Sequence, residues 1–263
     1  VKTNLQYRLL SRSGVVFAAL AFATLSAHAT ELVMNGGFES LQVAGVSSEI
    51  GSAFGNAQNV TGWTTSGYNF VYVPGDPNAN SQYGAGDVAL WNSDPTTDVG
   101  GAGIAVTPSP VGGNFLAMDG SYAAAVGSTN GGAIQQTING LVVGKTTTVS
   151  FYWGAAQQYT FTGPTTEQFE VSLGGQTDAT SVLANVSHGF TGWQEETMTF
   201  TATSTSELLS IAAIGLPDSS EPPMALLDGV SVTQATPEPS SLALLATGLF
   251  ATGGLIRSRF KKA

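Results

Sequence analysis

Between residues 30 and 235 the chain is a series of short apolar or alternating runs, each closed by Gly, Pro, Asn, Asp or Ser. Leu32–Met34, Phe70–Val73, Val88–Trp91, Phe115–Met118 and Ala133–Ile138 come first. Thr147–Trp153, Gln168–Leu173, Glu196–Thr203, Leu208–Ile214 and Leu226–Thr233 follow. Thr147–Trp153 alternates: Val149, Phe151 and Trp153 fall on one face, Thr148, Ser150 and Tyr152 on the other. No segment keeps a helical period over three turns. About ten strands in roughly 206 residues predict an all-β fold, a two-sheet jelly-roll sandwich. Residues 75–113 are the least regular, rich in Pro, Gly and Asp, and a loop of that length tends to carry function.

The two ends follow a different pattern. Lys2, Arg8 and Arg12 precede the apolar run Gly14–Leu25, and Ala27-His28-Ala29 supplies a small-x-small cleavage pattern. Residues 1–29 therefore read as a secretory signal peptide, with a mature start at Thr30. Ser240–Ile256 is free of charge and near the shortest length that spans a bilayer; Arg257, Arg259, Lys261 and Lys262 follow it as stop-transfer charges do. Pro237-Glu238-Pro239 stands just before this run. Residues 236–263 resemble the PEP-CTERM sorting signal of Gram-negative bacteria. That resemblance implies recognition by an exosortase-like processing enzyme, a transient anchor in the inner membrane, and delivery to the cell surface or extracellular matrix in company with exopolysaccharide. A permanent C-terminal anchor is the alternative. The sandwich domain is then residues 30–235.

Charge changes the picture of partners. Only 10% of residues are charged, against about 25% in ordinary domains, and there is no Cys. Between residues 30 and 235 one Lys, Lys145, faces seventeen Asp and Glu, a net charge of −16. Such a surface repels nucleic acid. Without Cys there is no disulfide framework and no thiol nucleophile.

Four landmarks in the mature region carry a second resemblance. They are Asn35-Gly36-Gly37-Phe38-Glu39; Thr61-Gly62-Trp63; Ala133–Ile138 with Gly140, Gly144 and Val149-Ser150-Phe151; and Gly192-Trp193 with Leu227-Asp228-Gly229-Val230-Ser231-Val232. Their order is similar to the galactose-binding-like jelly rolls, the DUF642 group and carbohydrate-binding modules with an N-G-x-F-E start and an L-D-x-V-x-V end. The resemblance implies neighbouring first and last strands and a structural Ca²⁺ held by Glu39 and Asp228, with carbonyl oxygens completing six to eight ligands. Gly229 departs from the polar residue common there. In the alternative, Glu39 is a strand-end acid and Asp228 a turn acid.

The chemistry favours binding over catalysis. No G-x-S-x-G, H-E-x-x-H or P-loop is present, and His188, the sole mature His, sits in a turn-like setting. Glu195 and Glu196 are adjacent on a strand and point to opposite faces. Sugar binding calls for aromatic platforms. Trp153 and Trp193 read as packing residues. Trp91, beside Asn92 and Asp94, is the better platform, with Tyr83 a weaker one; Trp63 divides between platform and core. The leading expectation is an exported, non-catalytic protein that binds extracellular polysaccharide. The alternatives are a structural or adhesion protein without a sugar ligand, its Thr-rich faces suiting an ordered solid such as ice, and an exopolysaccharide hydrolase.

Overall fold

Thirteen strands build two antiparallel sheets in the computed structural model, which describes residues 29–45, 48–50, 59–73, 90, 108–121, 131–158, 161–217 and 222–235. They are β1 (Ala29–Glu31), β2 (Ser48–Ile50), β3 (Thr64–Ser66), β4 (Asn69–Tyr72), β5 (Phe115–Asp119), β6 (Ala133–Asn139) and β7 (Thr146–Gln157). β8 (Thr165–Leu173), β9 (Gln176–Ala179), β10 (Leu183–Asn185), β11 (Gln194–Thr201), β12 (Ser206–Leu216) and β13 (Pro223–Ala235) complete the set. One sheet runs β11-β7-β13-β5-β4-β2, with β1 also on β13; the other runs β10-β8-β12-β6-β3, with β9 also on β8. All described residues fall in one unit, residues 28–236. Residues 1–28 of the signal segment, Tyr83, Trp91, Pro237, Glu238, Pro239, Arg257 and Arg259 lie outside the described residues. No helix among the described residues is long and apolar enough to cross a membrane.

Alternation explains the two layers. Val149, Phe151 and Trp153 of β7, Phe169, Val171 and Leu173 of β8, and Leu209, Ile211 and Ala213 of β12 all turn inward and are buried in one cluster. Trp153 is fully buried, its ring 5.9 Å from that of Phe169 at 66°. A second apolar cluster lies on the other side of the seven-stranded sheet: Phe70, Tyr72, Phe115, Ala117, Met224 and Leu226 point there, joined by Leu90 and Phe190. Leu90 reaches it from the long irregular stretch by bridging Gln158. There are two apolar clusters because alternate residues of β4, β5 and β13 are apolar on both faces.

The start differs from expectation. The first strand is Ala29–Glu31, not Leu32–Met34. The Glu31 carboxylate accepts the N–H groups of Leu32 and Val33, both at 3.0 Å, and the Leu32 N–H also keeps its bond to the Val232 carbonyl at 2.8 Å. Positive φ falls on Asn35 (54°) and Phe38 (57°), not on the two glycines between them. Gly36 is required for space instead: a Cβ there would lie 1.8 Å from the Val230 carbonyl oxygen.

Candidate functional site

A bulge in β13 creates the site. β13 pairs with β7 up to Asp228↔Tyr152 and resumes at Ser231↔Ser150. Between them Val230 turns to the N-terminal segment, its N–H donating to the Gly36 carbonyl at 2.9 Å. The bulge thus seats Asp228 beside Gly37 and Glu39. The first and last strands pair directly, Ala29 opposite Ala235 and Glu31 opposite Thr233.

Asp228 and Glu39 are in different surroundings. Asp228 is fully buried. Its Oδ2 accepts the Ser109 hydroxyl and its Oδ1 accepts the Gly229 N–H at 2.6 Å. Burial pushes its carboxyl up to about 7; the Ser109 and Gly229 donors pull it back, and the Glu39 charge pushes it further up. Glu39 is exposed, and its Oε1 accepts the Asn114 N–H at 2.7 Å. Gly113 makes that reach feasible, since a Cβ there would stand 1.8 Å from Glu39 Oε1. The Asn114 amide then donates to the Phe38 carbonyl at 3.0 Å, tying the turn to β5. The structure brings the two expected carboxylates together, with the Ser109 hydroxyl as a third hard oxygen. Among the described residues no group of three or more acidic or His side chains gathers.

The aromatic residues sort by exposure. Trp63 is 6% exposed, packs 5.7 Å from Phe38 at 58°, and donates its Nε1–H to the Asn35 carbonyl at 3.0 Å. It holds the N-terminal turn and offers no open ring face. Trp193 is half-buried: its ring meets Phe115 at 5.5 Å and 78°, and Phe190 at 6.2 Å and 71°. Tyr68, also half-buried, meets Phe70 edge-on at 4.4 Å. Glu195, two residues beyond Trp193, lies opposite Tyr152, which in turn lies opposite Asp228. A transverse row Glu195–Tyr152–Asp228 therefore crosses the outer face of the seven-stranded sheet next to the Trp193 wall. Trp193 packs against the second apolar cluster, in keeping with the packing role its place in the sequence suggests, and it is only partly covered there. Its partners Phe115 and Phe190 are distant in the chain, and the pairing register that brings them together is not visible in one sequence.

His188 sits in a turn at φ 60°, its N–H on Gln157 Oε1 at 2.7 Å and its Nε2 3.2 Å from Thr162 Oγ1. At the same end a cleft of about 680 Å³ is lined by Pro164, Thr166, Ala184, Val186, Leu216 and Pro217, among others.

No curated protein matches the chain. Among solved structures, the chain is similar to a CBM4 module (16% identity, 77% of this chain and 99% of that chain, TM-score 0.33). It is also similar to the CBM22-1 xylan-binding domain of Paenibacillus barcinonensis Xyn10C (13% identity, 73% and 94%, TM-score 0.34). An arabinose-bound α-L-arabinofuranosidase matches over 79% of this chain and 27% of that one, at 16% identity and TM-score 0.39. Residues 104–233 match the family described as a protein of unknown function, DUF642, and residues 235–259 match the PEP-CTERM protein-sorting motif. The sorting motif implies export, exosortase processing and delivery to the cell surface. The chain thus carries a DUF642 domain followed at once by a PEP-CTERM sorting motif.

Proposed function

We propose that this surface-sorted chain is a non-catalytic module that binds extracellular polysaccharide on the outer face of its seven-stranded sheet. The observation that carries the reading is the half-exposed Trp193 wall beside the exposed Glu195 and the half-buried Tyr152, its cross-strand neighbour. A sugar ring needs an apolar face to stack on and acceptors for its hydroxyls, and these two features adjoin. Catalysis is disfavoured by the state of Asp228. Its pKa suits a general acid, but it is fully buried with both oxygens committed to Ser109 and Gly229, so it cannot reach a glycosidic oxygen.

Glu39 and Asp228 fit Ca²⁺ in kind: both are hard oxygen donors, and a cation between them would offset the burial that chiefly raises Asp228 and the smaller push from the Glu39 charge. With so few acidic side chains at hand, backbone carbonyls would supply most of the shell. The ion would fasten the N-terminal turn to β13 and take no part in chemistry.

A second reading has its own observation. On the open part of the same face, Thr199, Thr148 and Thr233 form one transverse row and Thr197, Ser150 and Ser231 the next. Such a hydroxyl lattice, about 4.8 Å between strands, suits an ordered surface such as ice. A glycan array on the purified mature protein, with and without Ca²⁺, separates the two. Polysaccharide binding is expected, with Trp193→Ala weakening it about tenfold or more, as loss of a stacking platform does. Binding untouched by Trp193→Ala rejects this face. No glycan binding, together with altered ice growth, favours the second reading.

A further inference from the structure

The strands that end the two sheets are not alike. β2, β3 and β10 have three residues each, whereas β11 has eight. Short strands, Pro, Lys and bulges are the usual guards against strand-to-strand contact at an edge. β11 carries none of these guards: Gln194-Glu195-Glu196-Thr197-Met198-Thr199-Phe200-Thr201 keeps an unbroken register on β7.

One contact shows which groups line its outer edge. The Gln176 side chain closes on Thr201 as a neighbouring strand would, donating to its carbonyl at 2.6 Å and accepting its N–H at 3.1 Å. The backbone groups of Thr201 thus point away from β7, and those of Ala202 point back, its N–H on the Lys145 carbonyl at 3.0 Å. Direction alternates along a strand, so Thr199, Thr197 and Glu195 also point outward. All three are exposed, and among the described residues nothing bonds to their outward N–H and C=O groups.

We propose that this edge pairs antiparallel with the same edge of a second copy, joining two seven-stranded sheets across a twofold axis at Thr197. Hydrogen bonding and charge set the register. With Thr197 opposite the partner's Thr197, Glu195 and Thr199 face the partner's Thr199 and Glu195, and three such pairs exchange about six hydrogen bonds. A slip by one residue sets outward groups against inward ones. A slip by two lays Glu196 on the partner's Glu196 in one direction, and in the other sets Glu195 against Thr201, whose groups Gln176 already holds. Parallel pairing in register lines both glutamates up with their own copies. In the favoured register the two Glu195 residues stand about 14 Å apart, beyond the roughly 8 Å screening length at physiological ionic strength.

The pairing extends the outer face. The row Thr233–Thr148–Thr199 runs on into the partner's Glu195 and Tyr152. The two Trp193 walls then lie on one side of the joined sheet, about 27 Å apart, a span that a long polysaccharide bridges. That consequence rests on the glycan reading; the pairing does not.

The chain has no Cys, so single thiols report the register. The full chain is purified in mild detergent, and Thr197→Cys, Thr199→Cys and Glu195→Cys are oxidised separately and in mixtures. Opposed Cα atoms of such pairs lie about 5.5 Å apart, within disulfide reach. Thr197→Cys alone is expected to give a covalent dimer. Thr199→Cys and Glu195→Cys are expected to give none alone and to cross-link when mixed. In sedimentation, Thr197→Glu should weaken association of the Cys-free chain at least tenfold, with an unchanged denaturation midpoint showing that it folds. Added salt should tighten the wild type, because each copy carries a net charge of −16 between residues 30 and 235. No cross-link at Thr197→Cys, or equal cross-linking of all three alone, overturns the pairing. So does association unchanged by Thr197→Glu, which marks contact through another surface such as the apolar C-terminal run.

Discussion

Glu207 and Glu167 stand at opposite ends of one sheet and hold protons oppositely. Each continues the inward parity of its strand: Glu207 with Leu209 and Ile211 on β12, Glu167 with Phe169 and Val171 on β8. Each is buried, and each leaves Oε2 without a partner. At one end, Glu207 Oε1 accepts the Thr203 N–H (2.6 Å), the Thr203 hydroxyl (2.7 Å) and the Ser204 N–H (2.9 Å). Burial raises this carboxyl, but those three donors outweigh it and hold it below the ordinary range. At the far end, Glu167 Oε1 accepts only the Thr165 hydroxyl at 2.5 Å. Burial there wins and pushes the carboxyl up to about 8. A buried carboxylate is thus charged or neutral according to the donors its own local turn supplies, and burial alone does not decide.

The largest test of that contrast is pH. Folding raises the Glu167 pKa from 4.5 to about 8, so the folded state binds this proton more tightly than the unfolded chain. Its contribution is fully present below about pH 4.5 and is lost as pH rises through 8, by on the order of 5 kcal/mol. Glu167→Gln should flatten that fall when denaturation midpoints are followed from pH 5 to 9. A wild-type profile already flat over this range would break the comparison. Next in size, Glu207→Ala strands two backbone N–H groups and should cost about 2 kcal/mol at pH 7 by chemical denaturation. The stability Glu207 adds has the reverse sign in pH, lost as pH falls below the ordinary carboxylate range. Smallest, Leu216→Ser, at a side chain 66% exposed and opposite Thr166, should change stability by less than about 0.5 kcal/mol. A larger loss would mean that the far end is packed against something.

Much of this was legible in the sequence where alternation was strong. The face shared by Val149, Phe151 and Trp153 is buried as its parity requires, and Gly140 and Gly144 bracket the link from β6 to β7 with φ of 85° and 79°. Glu39 and Asp228 were reachable only through family landmarks, because the bulge that joins them lies across a separation no local pattern spans. The burial of Glu167 and Glu207 was available by extending the parity of Phe169–Leu173 and Leu209–Ala213 outward, where a charged residue hides the continuation. The second core was not legible. Phe70 and Tyr72 look like one apolar run with Val71, and what covers them comes from residues as distant as Leu90 and Phe190.

The last strand bears a mechanical burden. β13 lies in mid-sheet, hydrogen-bonded to β7 along one side and to β5 and β1 along the other. Tension drawn through the C-terminus pulls it lengthwise, so the flanking bonds share the load together instead of parting one at a time. A tether leaving from such a strand resists drag far better than one leaving from a hairpin rim.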